Sequence, residues 1–357
     1  MNAISFPAPA PVATRHGAMP PIAVLVLPGF SLLSLAAILD PLAYVQDSEQ
    51  ALSCRTFGLS RRRVCARAGQ EFFCDGDSPG LLDAVKAGRA PKLLILCGGP
   101  EVAQHHALAA LPLIRRAART GTRLVGVGGA NTLLAEAGLL DGGSGAIHWK
   151  SARAFGECHP KISLTSGLFT NSGRSGTCAG ELAALDMILD LIRREASPSA
   201  AQSVCDHFLV GHPRTADCPQ PGARGEKLRH LPEVLQVVIG RMIDNMEDPL
   251  TSVELLEDIP MSARQLERLF RRHLGTSPIS HYLGIRLDAA HQLVTQTDLD
   301  LHEVALATGF GSRAYLSRKL KQRYGATPCE LRRRLAETAP QPVPAASGFG
   351  RTGDTSL

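Results

Sequence analysis

The chain has 357 residues, a hydrophobic content of 44% and a formal net charge of +5. This length predicts two or three domains with real cores, and no apolar run reaches the roughly 18 residues of a membrane-spanning helix. The nine cysteines are scattered, without a CxxC pair or zinc-finger spacing. We therefore expect reduced thiols in a cytoplasmic protein and no metal or other cofactor.

The first half of the chain alternates between predicted strands and helices. Runs of aliphatic residues predict strands, and most of these runs are followed by a segment whose apolar residues have helical spacing. The predicted strands are 21–28, 52–58, 91–100 and 123–129, and the predicted helices are 32–44, 101–120, 130–137 and 177–193. A hairpin is expected within 61–77. This alternation predicts a parallel sheet with helices on both faces, and a ligand beyond the carboxyl ends of its strands.

Composition divides the chain into five segments. Residues 1–18 lack the apolar stretch of a signal peptide, and residues 336–357 are too poor in core-forming side chains to fold. Residues 211–227 are rich in Pro, Gly and charge, as is typical of a linker. The segments are a tail (1–18), a first domain (19–210), the linker (211–227), an all-α second domain (228–335) and a second tail (336–357).

Positive charge is concentrated near the carboxyl terminus. From Met261 to Arg334 the chain carries about thirteen Lys and Arg against six Asp and Glu, a larger excess than that of the whole protein. A basic module attached to a near-neutral one indicates that a polyanion binds at one end only.

Residues 299–328 predict a helix–turn–helix. A short helix through Val304 ends at Gly309, whose freedom at positive φ suits a tight turn, and a second helix follows the N-cap Ser312 and runs to Tyr324. Residues 251–274 align with 301–324 as a weak repeat, with a long helix over 279–295 between them. A solvated basic helix at the edge of a bundle is the plainer alternative.

The segment GFGSRAYLSRKLKQRYGATPCELRR resembles the closing signature of AraC/XylS-type transcription regulators. The resemblance implies two helix–turn–helix motifs that enter successive major grooves of promoter DNA. It also implies RNA polymerase as a partner and a homodimer, with no membrane association.

The residues expected to contact DNA lie on the second helix of each helix–turn–helix motif. Arg313, Tyr315 and Arg318 point outward from the later helix, where Arg is the usual partner of guanine. The other expected contacts, to bases or phosphates, are Ser312, Lys319, Arg264, Glu267, Arg268, Arg271 and Arg272. The earlier motif departs from the family, with Leu256 for the usual Ala and Pro260 for the usual Gly. Because Pro cannot adopt positive φ, we expect this motif to read DNA less well or at another angle.

The first domain resembles PfpI-like proteases and isonitrile hydratases, of the class I glutamine-amidotransferase-like fold, and its fusion to an AraC module resembles the GlxA-like group. The segments VLVLPGFSLLSLAAILDPL, ILCGGP, AEAGLLDG and TCAGELAALDMILDLI carry this resemblance. It implies a flavodoxin-like α/β fold over most of residues 21–210.

Catalytic relatives need a cysteine on a sharp strand–helix elbow, where the helix N-terminus and a base activate its thiolate. In this sequence the cysteine position falls on Gly128 and the facing acidic position on Ser34, while the histidine position remains as His148. Cys97 ends a buried strand and Cys178 lies in a structural segment, so neither is a substitute. We therefore expect no enzyme activity.

The remaining elbow predicts a pocket floored by backbone N–H groups, which suits an anionic group of a small metabolite. The predicted ligand residues are Ser34, Gly98, Gly99, Gly128, Gly129, Ala130, His148 and Trp149. A structural role for His148, core packing for Trp149 and tight turns for the glycines remain open. The resemblance implies amino acids or quaternary amines such as glycine betaine as effectors, although the domain has few aromatics for a quaternary ammonium cage.

The sequence thus predicts a ligand-responsive transcription regulator with a non-catalytic sensor domain. Two rival hypotheses stay open. One is a PfpI-type hydrolase or hydratase with an attached DNA-binding module, and the other is a DNA-binding protein without any ligand.

Overall fold

The computed structural model describes residues 19–46, 52–99, 104–171, 173–220 and 231–338. The predicted tail at 1–18, most of the tail at 336–357 and much of the linker lie outside these ranges. By their contacts the described residues form two compact units. The first lies within Met1–His148 and Lys161–Pro219, and the second within Trp149–Pro160 and Gln220–Leu357. No helix in the described ranges is both long and apolar enough to cross a membrane.

A mostly parallel sheet forms the centre of the first unit. The described strands are β1 (Ile22–Val26), β2 (Cys54–Gly58), β3 (Arg63–Cys65), β4 (Glu71–Phe73), β5 (Gly76–Asp77), β6 (Leu93–Gly98), β7 (Arg123–Gly128), β8 (Ser144–Ala146), β9 (Ser163–Thr165), β10 (Phe169–Thr170) and β11 (Ser175–Cys178). Seven of them follow the order β10-β11-β7-β6-β1-β2-β5, in which β10 pairs antiparallel and every other neighbour pairs parallel. The hairpin expected within 61–77 is β3 and β4.

Helices cover both faces of this sheet. They are α1 (Leu32–Val45), α2 (Ser78–Lys86), α3 (Gln104–Arg119), α4 (Asn131–Glu136), α6 (Ala183–Glu195) and α7 (Pro198–His207). The helix α5 (Trp149–Cys158) belongs to the second unit. Ile22, Val24 and Val26 share a core with α1, α6 and α7. Ala23 and Leu25 point to the opposite face by strand alternation and are fully buried as well. The α/β fold with a parallel sheet is confirmed, because only a two-sided sheet buries every residue of β1.

The predicted helix over 177–193 begins too early. Ser175–Cys178 is a strand that pairs with β7, and the helix starts at Ala183. Thr177 is fully buried and its Oγ1 accepts a hydrogen bond from Ala146 N at 2.7 Å. Leu182 is the N-cap of this helix and is 52% exposed. Pairing within the sheet overrides the helical pattern of this short stretch.

The first part of the predicted linker is attached to the first unit. The backbone N–H and the guanidinium of Arg214 donate to the buried carboxylate of Asp186 at 2.7–3.0 Å. Leu168 N–H also donates to Ala216 O at 2.8 Å.

The second unit is helical. Its elements besides α5 are α8 (Glu233–Asp244), a 3-10 turn (Glu254–Leu256), α9 (Ala263–Leu274), α10 (Pro278–Gln296), α11 (Leu301–Ala307), α12 (Arg313–Tyr324) and α13 (Pro328–Thr338). The internal repeat is visible, since α9 and α12 are both 12 residues long and each is followed by a glycine, Gly275 or Gly325, at φ 68° or 70°. The long central helix α10 lies between the two motifs in sequence.

The turn of the later motif depends on Gly309. This residue has φ +67°, and a Cβ built on it would overlap Met246 O and lie 2.8 Å from Glu247 O. Its N–H donates to Leu306 O at 3.0 Å, which ends α11. Both the conformation and the close backbone approach exclude a side chain here.

Gly309→Ala should therefore lower the stability of the second unit by about 2 kcal/mol, or roughly 8 °C in Tm. Thermal unfolding of the full-length protein measures this. Gly311→Ala is the matched control, because a Cβ there meets nothing within 4 Å. Equal melting temperatures for the two variants would contradict the packing described for this turn.

Candidate functional site

Four strand ends meet backbone to backbone at the carboxyl edge of the sheet. A Cβ built on Gly99 would overlap the carbonyl of Gly29, and one on Gly128 would lie 2.5 Å from Gly98 O. One built on Gly180 would lie 3.0 Å from Gly128 Cα. We call these five residues the glycine junction. At this junction the backbones at the ends of β1, β6, β7 and β11 approach so closely that a Cβ on Gly99, Gly128 or Gly180 would crowd a neighbouring backbone atom.

Gly128 occupies the elbow between β7 and α4. Its φ is +64°, the left-handed conformation that would strain a nucleophilic residue and that glycine adopts without strain. A cysteine at this position would have its Cβ against Gly98 O unless the neighbouring strand moved. Asn131, the first residue of α4, donates from Nδ2 to Cys178 O at 2.9 Å and ties the elbow to the end of β11.

The two thiols near the elbow are not activated. Cys97 and Cys178 are both fully buried. Burial raises the pKa of each thiol to about 12, and neighbouring negative charge adds to the shift at Cys97. A nucleophilic cysteine needs the opposite, a lowered pKa and solvent access.

Two serines and a glutamate form a hydrogen-bonded group beside the junction. Ser34, only 1% exposed, accepts a hydrogen bond at Oγ from Glu181 N–H at 2.7 Å. Ser31 caps α1, accepting from Ser34 N–H at 3.3 Å, and donates from Oγ to Glu181 Oε2 at 2.7 Å. The two bonds to Glu181 join the start of α1 to the turn after β11 and place a carboxylate at the junction.

Glu181 was missed by the sequence analysis. Its φ of +51° is the left-handed region, which costs a residue with a side chain about 1–2 kcal/mol. A strained non-glycine residue at a site is a signal of function, but it shows only in the structure. In sequence Glu181 stands in a helical pattern, where an exposed carboxylate is ordinary.

Of the predicted ligand residues, Trp149 lies in the second unit and the others lie in the first. Gly129 and the buried Ala130 follow Gly128 on the elbow, and the described residues offer no acceptor within hydrogen-bond reach of Gly129 N–H. His148 is half-buried at the end of β8 in the first unit. Trp149 belongs to the second unit, is 38% exposed, and lies under the Lys150 ammonium at 5.4 Å. Core packing of Trp149 is therefore not observed.

The later helix–turn–helix presents the predicted DNA-contacting face. Ser312 accepts from Tyr315 N–H at 3.2 Å and starts α12, while Leu316 and Leu320 are buried beneath it. Arg313, Arg318 and Tyr315 are exposed. The Arg318 guanidinium lies 5.4 Å and the Lys319 ammonium 5.8 Å from the centre of the Tyr315 ring. The two cations and the ring thus form one preorganised surface.

Two arginines of this region have structural contacts instead. Arg286 of α10 donates from Nε to Thr308 O at 2.8 Å and from Nη2 to Gly309 O, and its guanidinium stacks 4.6 Å from the Phe310 ring. Arg323 pairs with Asp288 at 2.8 Å and so joins α12 to α10. Arg286 stabilises the turn from another helix, a role that local sequence does not indicate.

The earlier motif differs in its first helix. Residues Glu254–Leu256 form only a 3-10 turn where the later motif has α11. With Pro260 in the usual glycine position, the left-handed conformation is taken by Asp258 at φ +61°. On α9, Glu267 pairs with Arg271 at 3.0 Å, while Arg264, Arg268 and Arg272 are exposed.

Comparison with known proteins decides the family. A family model described as a helix-turn-helix domain matches residues 255–334. The HTH-type transcriptional regulator CdhR of Pseudomonas aeruginosa is 37% identical over 336 residues, covering 91% of this chain and 95% of CdhR. The chain belongs to the AraC-type family of HTH transcription regulators. The regulators GbdR of P. aeruginosa and GlxA of Rhizobium meliloti are each 31% identical, over 87% and 88% of this chain and 83% and 95% of their own lengths.

The two units of this AraC-type regulator contain different functional features. The second unit holds both helix–turn–helix motifs, and the first holds the elbow between β7 and α4. In this regulator the elbow residue is Gly128, and the glycine junction fills the place where a nucleophile's side chain would begin.

Iodoacetamide at pH 8 should alkylate Cys158 and Cys329 of the native protein, which are exposed, and leave Cys97 and Cys178 unmodified. At that pH a thiol of pKa about 12 is ionised to about one part in ten thousand. Peptide mass spectrometry over time measures the four sites, and labelling in denaturant is the control. Rapid loss of the Cys97 thiol in the native protein would instead indicate a reactive, enzyme-like cysteine.

Proposed function

We propose that this regulator binds promoter DNA through its two helix–turn–helix motifs and adjusts that binding to a small-molecule effector held at the elbow of its first unit. The observation that carries the proposal is the pairing of an intact PfpI-like elbow with an absent nucleophile. Such an elbow offers the N–H of Gly129, for which the described residues provide no acceptor, but no group that attacks a substrate.

DNA recognition is assigned chiefly to α12. Arg313 and Arg318 are exposed near its N-terminal half, which is the part of a recognition helix that enters the major groove. Each bidentate contact between Arg and guanine contributes about 1–3 kcal/mol of discrimination. Ser312, Lys319 and the stacked Tyr315 flank these arginines and suit phosphate and sugar contacts, which position the helix.

The earlier motif is assigned a weaker reading role. Because of its 3-10 turn and the positive φ of Asp258, the backbone that precedes α9 differs from the backbone that precedes α12. Glu267 is engaged by Arg271 at 3.0 Å, so contact with a cytosine amine or a phosphate must first break that pair. Arg264 and Arg268 carry no such restraint among the described residues and are its best candidates for base contact.

The effector is proposed to be an amino acid or a betaine-like amine. The polar groups proposed to contact it near Gly128 are the N–H of Gly129, the half-buried His148 after β8, and Ser34, whose Oγ must first release Glu181 N–H. Gly98, Gly99 and Ala130 shape its floor by close backbone packing. Conversion of the effector is not part of the proposal, since the nearby thiols are buried and protonated.

The assembly proposed is a homodimer in the cytoplasm that acts with RNA polymerase on promoter DNA. Two motifs in one protomer already span about two successive major grooves, and a second protomer extends the contact to a further half-site. Binding of this kind releases counterions, so affinity is expected to fall steeply with salt.

Arg318→Ala should weaken operator binding roughly 5- to 150-fold, the equivalent of about 1–3 kcal/mol, and more than Arg264→Ala does. Fluorescence anisotropy with a footprinted upstream fragment measures both variants at one fixed salt concentration. Arg194→Ala, a substitution in the first unit, is the control for nonspecific charge loss. If Arg264→Ala has the larger effect, the earlier motif is the dominant reader and the assignment is wrong.

A further inference from the structure

Arg286 of α10 holds the end of α11 from another helix. Its Nε–H donates to Thr308 O at 2.8 Å, and its Nη2 donates to Gly309 O. Thr308 is the C-cap of α11, where carbonyls have no partner within the helix and carry the negative end of its dipole. A planar guanidinium can bond two such carbonyls and still present a flat face to a ring, whereas a lysine ammonium cannot.

The flat face of this guanidinium begins a row of stacked groups that ends on α12. It lies 4.6 Å from the centre of the Phe310 ring, and the ring centres of Phe310 and Tyr315 are 5.8 Å apart. The Arg318 guanidinium then lies 5.4 Å from the centre of the Tyr315 ring. We call Arg286, Phe310, Tyr315 and Arg318 the stacked row.

The stacked row runs from the interior of the second unit to its surface. Phe310 is 3% exposed and belongs to the core that also holds Leu316 of α12, whereas Tyr315 is 37% exposed. Burial lowers the pKa of the Arg286 guanidinium from its ordinary value, so this group is partly removed from water, where a cation–π contact is stronger. The inner members are therefore fixed by packing and hydrogen bonds, and Arg318 lies on a ring whose position they set.

The earlier motif has no equivalent of the outer ring. At the position that Tyr315 holds in the later motif, three residues after the N-cap, it has Gln265, which completes a capping box at the start of α9. Arg268, three residues further on, therefore has a glutamine where Arg318 has an aromatic partner. The internal repeat thus contains one recognition helix with the stack and one without it.

We propose that Arg286 is a positioning residue for base recognition, which acts on Arg318 through the two stacked rings. An arginine that is already oriented loses less rotamer freedom when it bonds a guanine, so the loss of that orientation weakens the contact with the correct base. Phosphate contacts position the protein without reading sequence and do not depend on this orientation. The inference rests on the proposed reading role of α12, and it adds a residue of α10 to the determinants of operator specificity.

A purely structural role for Arg286 is the alternative that the test must separate. Arg286→Lys keeps the positive charge and loses the planar fork. Phe310→Leu keeps an apolar group in the core and removes the inner ring. Tyr315→Leu removes the outer ring at a partly exposed position, so it keeps the test available if a variant of the interior does not fold. Tyr315→Phe retains that ring and is the conservative variant.

The quantity measured is the discrimination ratio, which is the Kd for an operator fragment with one substituted base pair divided by the Kd for the native fragment. Anisotropy of the full-length protein gives both values at one salt concentration and well below every melting transition. The base pair used is the one whose substitution no longer matters to Arg318→Ala. Arg286→Lys, Phe310→Leu and Tyr315→Leu should each lower the ratio about 2- to 10-fold, and Tyr315→Phe should retain it. None of them should lower it further when Arg318 is already alanine.

Asp288→Asn is the matched control. Asp288 pairs with Arg323 at 2.8 Å and so joins α10 to α12 outside the stacked row. Its replacement loosens the same two helices and should leave the discrimination ratio unchanged. The slope of log Kd against log salt should be the same for Arg286→Lys and the native protein, because that slope counts phosphate contacts.

Three results would overturn the positioning role. One is equal weakening of both fragments by Phe310→Leu and Tyr315→Leu, which indicates lost folding or phosphate contact and not lost base recognition. The others are a loss that persists in the Arg318→Ala background and an equal fall of the ratio in Asp288→Asn. If Arg318→Ala itself has the native ratio at every base pair, the proposed reading role of α12 is wrong, and the positioning role fails with it.

Discussion

The first unit depends on the close approach of glycine backbones where the strands end. Gly99 packs against the carbonyl of Gly29, Gly128 against that of Gly98, and Gly180 against Gly128 itself. Because these contacts leave no volume for a Cβ, the elbow keeps its left-handed turn but carries no side chain. The same contact positions Glu181 and Ser34, so the loss of the nucleophile and the placement of a carboxylate follow from one packing constraint.

Patterns with a clear physical period were read correctly from the sequence. The aliphatic run Ile22–Val26 is buried on both faces as a parallel strand, and Ser312, Gly309 and Leu316 define the later helix–turn–helix as capping and periodicity predict. The internal repeat also held, since both second helices begin after a serine cap. In each case a local rule and the tertiary structure agree.

The misses have a common cause, which is contact with a distant segment. Thr177 sits in a helical pattern, yet sheet pairing with β7 makes it a strand residue. Asp258, rather than the predicted turn position, takes the left-handed conformation once Pro260 is excluded from it. Arg286 reaches the turn at Thr308 from another helix, and Glu181 meets Ser31 across 150 positions. No single-sequence pattern contains these pairings.

The proposed coupling between an effector site and DNA binding within one chain is tested most directly by its reciprocity. Operator affinity of the full-length protein is measured by anisotropy with and without a saturating concentration of the glycine betaine or arginine that binds it, and affinity for that compound is measured with and without operator. The account predicts that both affinities change by the same factor, about 5-fold or more. An operator affinity that is identical with and without the bound compound would contradict it.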